Sequence, residues 1–482
     1  MNYSVVIYIL GWIMEIEAAF LALPGIVSAI YGEKGGVAFL WVALGSAVAG
    51  SAIILRKPKN MRFYLREGFV TVALSWILMS VIGCLPFVIN GDIPHFADAL
   101  FEMISGFTTT GATVVSDVEG LTKGSLFWRS FSHWIGGMGV LVFLLAIVPM
   151  AGGSHMNLMK AESPGPSVGK LVPKVRQTAK YLYIIYFALT MIEVIFLLFG
   201  GMNLFEALTT SFGTAGTGGF AIWNDGFVSV SPYNQWVVTI FMLLFGVNFG
   251  FYFLILTGKL RDALKFEEVR IYFIIVIAAA VFIFINLRHF ALYAPAEGIR
   301  QAFFQVASII TTTGFASADF NLWPETSRTI LVLLMFIGAC AGSTGGGIKV
   351  SRFIIACKSF IKEIISYLHP RSVKKIKIEG KPLEHETLRA PNVYFMTYMV
   401  IFAVSVLLVS IENKDLVTNF AAVAATFNNI GPGLSLVGPM ANFGHFTDFT
   451  KYILMFDMLA GRLEIFPMML LFCPAVWKRR RA

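Results

Sequence analysis

Charge is the first thing this chain lacks. Of its 482 residues, 13% are Asp, Glu, Lys or Arg and 57% are hydrophobic, and mean hydropathy stands at +0.75. A water-soluble globule is excluded, since about a quarter of an ordinary soluble chain is charged. Cysteine is sparse too. Cys84, Cys340, Cys357 and Cys473 lie in or beside apolar segments without C-x-x-C spacing, which excludes a disulfide framework and a zinc site. A cleavable leader is not expected, because the first apolar segment carries Glu15 and Glu17 and runs too long for a signal-peptide core. Catalytic signatures are missing as well: His133, His445 and Asp457 belong to no H-E-x-x-H pattern and to no nucleophile–base pair, so an enzyme is not expected. A receptor or scaffold would need large soluble domains, and the longest predicted cytoplasmic segment, near Lys358–Arg389, is too short for one.

What the chain has is apolar length. A membrane-spanning helix needs about 20 apolar residues, and such stretches recur from Val5–Ile30 through Ile453–Val476. The net charge of +9 is spread over short loops rather than gathered in one patch, which argues against nucleic acid as a partner. Basic residues cluster at Arg56–Arg66, at Lys160–Lys180, at Lys259–Arg270 and in Lys349–Arg389, while the intervening loops carry Asp117, Glu119, Asp225, Asp319, Glu325 and Asp448. Because basic loops stay on the cytoplasmic side, the C-terminal Lys478-Arg479-Arg480-Arg481 is expected there, and two helices should separate successive cytoplasmic loops.

Between those helices lie four apolar stretches too short to span: Phe96–Phe107, Asn203–Phe212, Gly298–Ile310 and Leu416–Phe427. Each runs into a polar, glycine-bearing segment, namely Thr108-Thr109-Thr110-Gly111, Gly213-Thr214-Ala215-Gly216, Thr311-Thr312-Thr313-Gly314 and Asn428-Asn429-Ile430-Gly431. Aligned on the glycines, the copies are spaced by 105, 98 and 117 residues. The predicted fold is an all-α polytopic membrane protein with four pseudo-symmetric helix–pore-loop–helix repeats around one pore. The repeats cover 56–150, 151–258, 259–370 and 371–482, and 1–55 form a two-helix accessory unit outside them.

Non-helical backbone at membrane depth is tolerated only where it is buried in protein or lines a polar cavity. A cation that sheds water needs a replacement shell of oxygens, which backbone carbonyls and hydroxyls supply. The expected ring comprises Thr109, Thr110 and Gly111; Thr214, Ala215 and Gly216; Thr312, Thr313 and Gly314; and Asn429, Ile430 and Gly431. The threonines, Ala215, Asn429 and Ile430 hold the ion, and the glycines act as hinges. Small residues also pack membrane helices, which would account for one such loop far better than for four in register. The acidic residues Asp117, Asp225, Asp319 and Asp448 would concentrate cations at the mouth or serve as ordinary solvated loop charge.

The second helix of the third repeat is interrupted by Gly338–Gly347, a run of poor helix propensity. It is expected to unwind below the ring as a gating loop, with Gly345, Gly346, Gly347 and Lys349 at its end. A Walker phosphate loop is the competing reading, but Ile348 stands where that motif needs Lys. Arg462, midway along an apolar helix, is expected to add a barrier beneath the ring or to pair with Asp457 or Glu464.

The run Phe101-Glu102-Met103-Ile104-Ser105-Gly106-Phe107-Thr108-Thr109-Thr110-Gly111-Ala112-Thr113, the segment Gly342–Lys349 and the late Gly461-Arg462 resemble the Trk/Ktr/HKT superfamily. The extra N-terminal helix pair makes the likeness closest to its TrkH-type branch. The resemblance covers essentially the whole chain and implies gated potassium uptake in a bacterial cytoplasmic (inner) membrane, with K+ as transported ion and no covalently bound cofactor. It further implies a homodimer in membrane lipid with one pore per protomer, and a cytoplasmic ring of TrkA-type nucleotide-binding subunits. Glycine rather than serine at 111 goes with potassium in that superfamily. Two departures make the ring nonuniform: the glycine-rich Gly213–Gly219 and the asparagines 428 and 429. The alternative within transport is proton- or sodium-coupled symport using Glu15, Glu193, Asp457 or Glu464.

Overall fold

The computed structural model describes residues 1–59, 61, 64–147, 175–369, 375–379, 381–383 and 385–478. The basic residues Arg62, Lys160, Lys170, Lys174 and Arg479–Arg481 lie outside them, as does Val148, the expected end of one helix. Among the described residues, six helices are long and apolar enough to cross a membrane: Tyr3–Ile30, Gly36–Ile54, Leu65–Asn90, Lys180–Phe199, Glu267–His289 and Leu388–Glu412. The chain is a multi-pass membrane protein, and almost all its regular structure is helical. One small exception is the antiparallel pairing of Lys377–Ile378 with Lys381–Pro382.

The first two helices form the expected accessory hairpin. They approach closely because glycines face each other: a Cβ on Gly50 would stand 2.9 Å from the Gly11 carbonyl oxygen, and one on Gly36 3.1 Å from that of Gly25. Such small-residue contacts let membrane helices gain dispersion energy without a hydrophobic drive. The hairpin is tied to the rest at both ends. Glu33 accepts hydrogen bonds from the amides of Lys123 and Gly124 at 2.7 and 3.2 Å, satisfying donors that a helix N-terminus leaves open. At the other end, the Met1 amine donates to the Lys478 carbonyl at 3.3 Å and the Tyr3 hydroxyl to that of Trp477.

Four times thereafter a long helix is followed by a short one, a loop and a second helix. The short helices are Phe96–Phe107, Leu204–Ala215, Pro295–Ile310 and Leu416–Phe427, of 12, 12, 16 and 12 residues. At 1.5 Å per residue the 12-residue ones reach about 18 Å, too short for a hydrocarbon core of about 30 Å. Their starts are well specified. Asn203 and Glu206 form a capping box, Pro295 occupies the first turn, and Asp415 accepts from the Thr418 amide. Most of their residues are buried inside the molecule, so these helices are held by protein on all sides.

The second helices differ from one another. Lys123–Ile147 is unbroken. The second repeat's is bent by 88° between Pro232–Phe245 and Phe249–Leu256. The third repeat's is interrupted between Glu325–Ile337 and Val350–Leu368, as expected, and the fourth repeat's between Asp448–Arg462 and Phe466–Leu471. Where the repeat pattern predicts one second helix, the second and fourth repeats therefore each carry two pieces. In the second repeat, Asn248 caps the new piece by accepting from Gly250, which stabilises a fresh helix start inside an apolar run.

Candidate functional site

All four short helices end in the same backbone turn. Thr109, Thr217, Thr312 and Asn429 take left-handed φ values of 54°, 52°, 58° and 55°, and two residues later Gly111, Gly219, Gly314 and Gly431 take 77°, 81°, 85° and 93°. The residue between donates its amide to the carbonyl five back: Thr110 to Ser105, Gly218 to Gly213, Thr313 to Ser308 and Ile430 to Ala425, at 2.8–2.9 Å. A β-branched threonine at positive φ is an outlier that costs about 1–3 kcal/mol and persists only where its surroundings impose it. Three such threonines in equivalent places mark a built site.

The four turns close on one another. A Cβ on Gly111 would stand 2.0 Å from the Gly218 carbonyl oxygen, one on Gly219 2.0 Å from that of Thr313, one on Gly314 1.9 Å from that of Ile430, and one on Gly431 2.7 Å from that of Thr110. The contacts run first to second, second to third, third to fourth and fourth back to first. Four loops therefore surround a common axis in chain order, and each glycine is required because the neighbour's backbone fills its side-chain space. The short helices all present their C-terminal ends to this ring, where the negative pole of the helix dipole favours a cation.

The second loop corrects the expected register. Thr214 and Ala215 belong to the helix Leu204–Ala215, and Gly216 caps its end at φ −69°. The helix runs one turn past Phe212, with the Thr214 hydroxyl bonded to the Thr210 carbonyl at 3.0 Å, so Thr217, Gly218 and Gly219 take the ring positions. A signal for this is in the sequence: Gly219-Phe220-Ala221 repeats Gly314-Phe315-Ala316. The other three loops place their expected residues, Thr109, Thr110, Gly111, Thr312, Thr313, Gly314, Asn429, Ile430 and Gly431, in the ring.

Side chains around the ring vary by quarter. In the first and third loops the hydroxyls of Thr108 and Thr110, and of Thr311 and Thr313, meet at 2.8 Å. In the fourth, Asn429 reaches across to the Thr110 hydroxyl at 3.0 Å and to the Met458 carbonyl at 2.9 Å. His133, from the first repeat's second helix, binds the Gly106 carbonyl through Nδ1 at 2.8 Å and the Phe220 amide through Nε2 at 3.1 Å. Both ring nitrogens are thus occupied, which makes His133 a staple between two quarters. Behind the first loop Arg129 and Glu102 form a buried ion pair at 2.8 Å, and Glu102 also accepts from the Thr113 hydroxyl and the Val114 amide. Sequence reasoning missed this pair, although two charges inside apolar runs were its visible sign. Asp225 and Asp319 organise their own loops, accepting from Ser229 and Asn321, while Asp117 accepts from Gly120 and also ties its loop to Asn224 of the second repeat.

Beneath the ring lies the interrupted helix of the third repeat. The Gly346 amide donates to the Thr312 hydroxyl at 2.5 Å and the Gly347 amide to the Asn428 carbonyl at 3.1 Å. A Cβ on Gly345 would stand 2.9 Å from the Thr311 carbonyl oxygen. The Lys349 ammonium folds back onto the Gly345 carbonyl. Arg462 bridges this segment to the first repeat, donating to the carbonyls of Thr344 and Gly136 at 2.7 Å each. Glu464 is the partner of Arg352, and Asp457 accepts from Ser405 at 2.6 Å. The break in the second repeat interlocks with the same segment through Cys340 to Gly246 and Phe249 to Gly342, at 3.1 and 3.0 Å. Glu15 accepts from Ser51 in the accessory hairpin, and Glu193 is buried in the second repeat's first helix.

The whole arrangement has known counterparts. Residues 35–479 match the TrkH family, described as cation transport protein. The Trk system potassium uptake protein TrkH of Escherichia coli K12 is 36% identical over 99% of this chain and all of its own length. The Trk system potassium uptake protein TrkG of the same organism is 31% identical over 99% of each chain. The crystal structure of the potassium transporter TrkH from Vibrio parahaemolyticus superposes with a TM-score of 0.88 at 33% identity, covering 99% of this chain and all of that one. With four loops closed into a ring and likeness along its full length to proteins of this kind, the chain belongs to the TrkH family of cation transport proteins.

Proposed function

We propose that this protein takes up potassium through a gated filter formed by the four closing loops. The observation that carries the reading is the cycle of contacts from the four glycines to the carbonyls of Gly218, Thr313, Ile430 and Thr110, and the oxygens we assign to the ion are those of Thr109, Thr110, Thr217, Gly218, Thr312, Thr313, Asn429 and Ile430. Such a ring replaces the hydration shell of a monovalent cation without fixed charge. Uptake is downhill: the membrane potential supplies about 2.3 kcal/mol per charge per 100 mV.

The segment Gly338–Lys349 serves as the gate, since its tip bonds to Thr312 and Asn428 directly under the ring and Arg462 locks it to the first repeat. The basic loops and the basic C-terminus support a cytoplasmic position for those ends, in what we read as the bacterial inner membrane. There a TrkA-type nucleotide-binding ring would act on the gate, with the transporter as a homodimer. Of the four acids that symport would use, Glu15, Asp457 and Glu464 are engaged with Ser51, Ser405 and Arg352, which favours a channel-like conduit. The test is uptake of potassium, rubidium and sodium into liposomes holding the purified chain, with and without the cytoplasmic subunit. Potassium and rubidium flux that needs no proton or sodium gradient is the expected result, and strict dependence on either gradient would replace this reading with symport.

A further inference from the structure

Glu268 opens the third repeat's first helix, Glu267–His289, and is buried at 7% exposure. One of its oxygens, Oε1, accepts two main-chain amides, from Ala341 at 2.7 Å and from Ser351 at 3.0 Å. Those two residues stand on the outgoing and returning sides of the glycine-bearing segment that interrupts the repeat's second helix. Close by, the Val350 amide donates to the Ala339 carbonyl at 3.0 Å. The segment therefore leaves one helix and enters the other through a neck closed by one backbone bond and one carboxylate. Its far end carries the contacts to Thr312 and Asn428. The adjacent Glu267 pairs with Lys358 at 2.6 Å, so the same helix end also grips the returning helix two turns further on.

We propose that Glu268 is the positioning residue that clamps the neck of the gating segment, holding both of its ends with a single carboxylate oxygen. The inference rests on reading that segment as the gate. Movement of Val350–Leu368 away from Glu267–His289 parts the Ser351 amide from Glu268 while Ala341 stays bound. The neck opens on one side, and the tip withdraws from the ring. Glu268 is thus where displacement of a cytoplasmic helix is converted into displacement of the tip.

Two substitutions separate the clamp from a simple need for charge. Glu268→Gln keeps the side-chain length and an oxygen able to accept both amides. Glu268→Asp keeps the charge but is one methylene shorter and reaches one amide at most. In liposomes holding the full chain alone, the Asp variant is expected to raise basal rubidium uptake by about tenfold, the equivalent of one lost hydrogen bond, while the Gln variant stays near wild type. The opposite ranking, or wild-type behaviour of both, overturns the clamp. Arg462→Ala is run beside them. If it raises uptake while Glu268→Asp does not, the clamp fails and the gate stands; if neither raises it, the gate reading falls as well. Hydrogen exchange on the wild-type protein gives a readout that needs no variant: the Ala341 and Ser351 amides are expected to exchange far more slowly than that of Gly342, and equal rates overturn the clamp.

Discussion

The third and second pore loops share a path and almost none of its supports. Thr311-Thr312-Thr313-Gly314 and Gly216-Thr217-Gly218-Gly219 both place a threonine at left-handed φ, a glycine two residues on, and an amide bonded five residues back. In the third loop the Thr311 and Thr313 hydroxyls pin the turn from its own side chains. The second has glycine at both of those positions, and the imidazole of His133 fills the vacated space: a Cβ on Gly218 would lie 2.2 Å from its Cγ, and its Nε2 accepts the Phe220 amide. What the ring requires is therefore a backbone course, and the chain meets that requirement locally in one quarter and from a neighbouring repeat in another.

The sharpest way to break the comparison is at its common element. Gly219→Ser and Gly314→Ser should be equally damaging, because each Cβ would collide with the next loop's carbonyl oxygen at about 2 Å. Both are expected to lower the preference for potassium over sodium by about a hundredfold, a loss of ~3 kcal/mol in the ring, measured by competing fluxes in liposomes. Survival of selectivity in Gly219→Ser alone would return the second loop to the register centred on Gly216.

A more specific effect tests the supports. Gly218→Thr places a side chain against the His133 ring and should abolish uptake by itself. His133→Ala should destabilise by about 1–3 kcal/mol, since the Gly106 carbonyl and the Phe220 amide lose a buried partner. Combined, the two changes should restore part of both the uptake and the melting temperature, because threonine then supplies what imidazole did. A double variant no better than either single one would show that the quarters are not interchangeable in this way.

Smaller again is the contrast between two threonines three residues apart. Thr217→Val removes a hydroxyl from the ring and should weaken potassium preference by about threefold, or ~0.7 kcal/mol. Thr214→Val removes a bond to the preceding turn of its own helix and a side-chain contact with Glu193, neither of them in the ring, and should leave selectivity unchanged, as read by the same competing-flux assay.

The mildest effect lies at the outer end of the pore helices. The second is capped by neutral Asn203 and the fourth by Asp415, whose carboxyl is held below the ordinary carboxylate range by the hydroxyl and then the amide of Thr418. A group with a depressed folded-state pKa contributes stability above its unfolded pKa and loses it as the pH falls through the folded one. Wild type should therefore lose melting temperature on acidification in part through this cap. Asp415→Asn keeps a capping oxygen, should differ from wild type by under about 1 kcal/mol at neutral pH, and should flatten that part of the acid limb. An unchanged acid limb would remove the cap from the account.

These contrasts also explain what the sequence could and could not say. Phe96–Phe107 and Leu416–Phe427 are helices over the residues that their apolar length and polar flanks predict, because too little apolar length to span is a local property. The unwinding after Ile337 was legible for the same reason, in a run of glycines. The second loop was not. Gly213, Gly216, Gly218 and Gly219 have similar local claims, and the one that takes the ring position is selected by His133 and by the carbonyl of Thr313 in other repeats. Nor did Leu463-Glu464-Ile465 advertise a break. Pro467, in the first turn of the next piece, marks only that a helix can start there, while Glu464 and Ile465 hold φ values of 55° and 70° where Glu464 engages Arg352 from another repeat. Glu102 and Arg129 were visible only as isolated charges until folding placed them together.

The cyclic closure has a consequence for how the molecule is made. Thr110 leaves the ribosome far ahead of Gly431, whose backbone it must meet, and the first three quarters are complete while one side of the circle is still open. A nascent chain already threaded into the bilayer therefore owns most of its helices before it owns a continuous coordinating surface. Arrival of the final segment closes the circle in a single step of assembly.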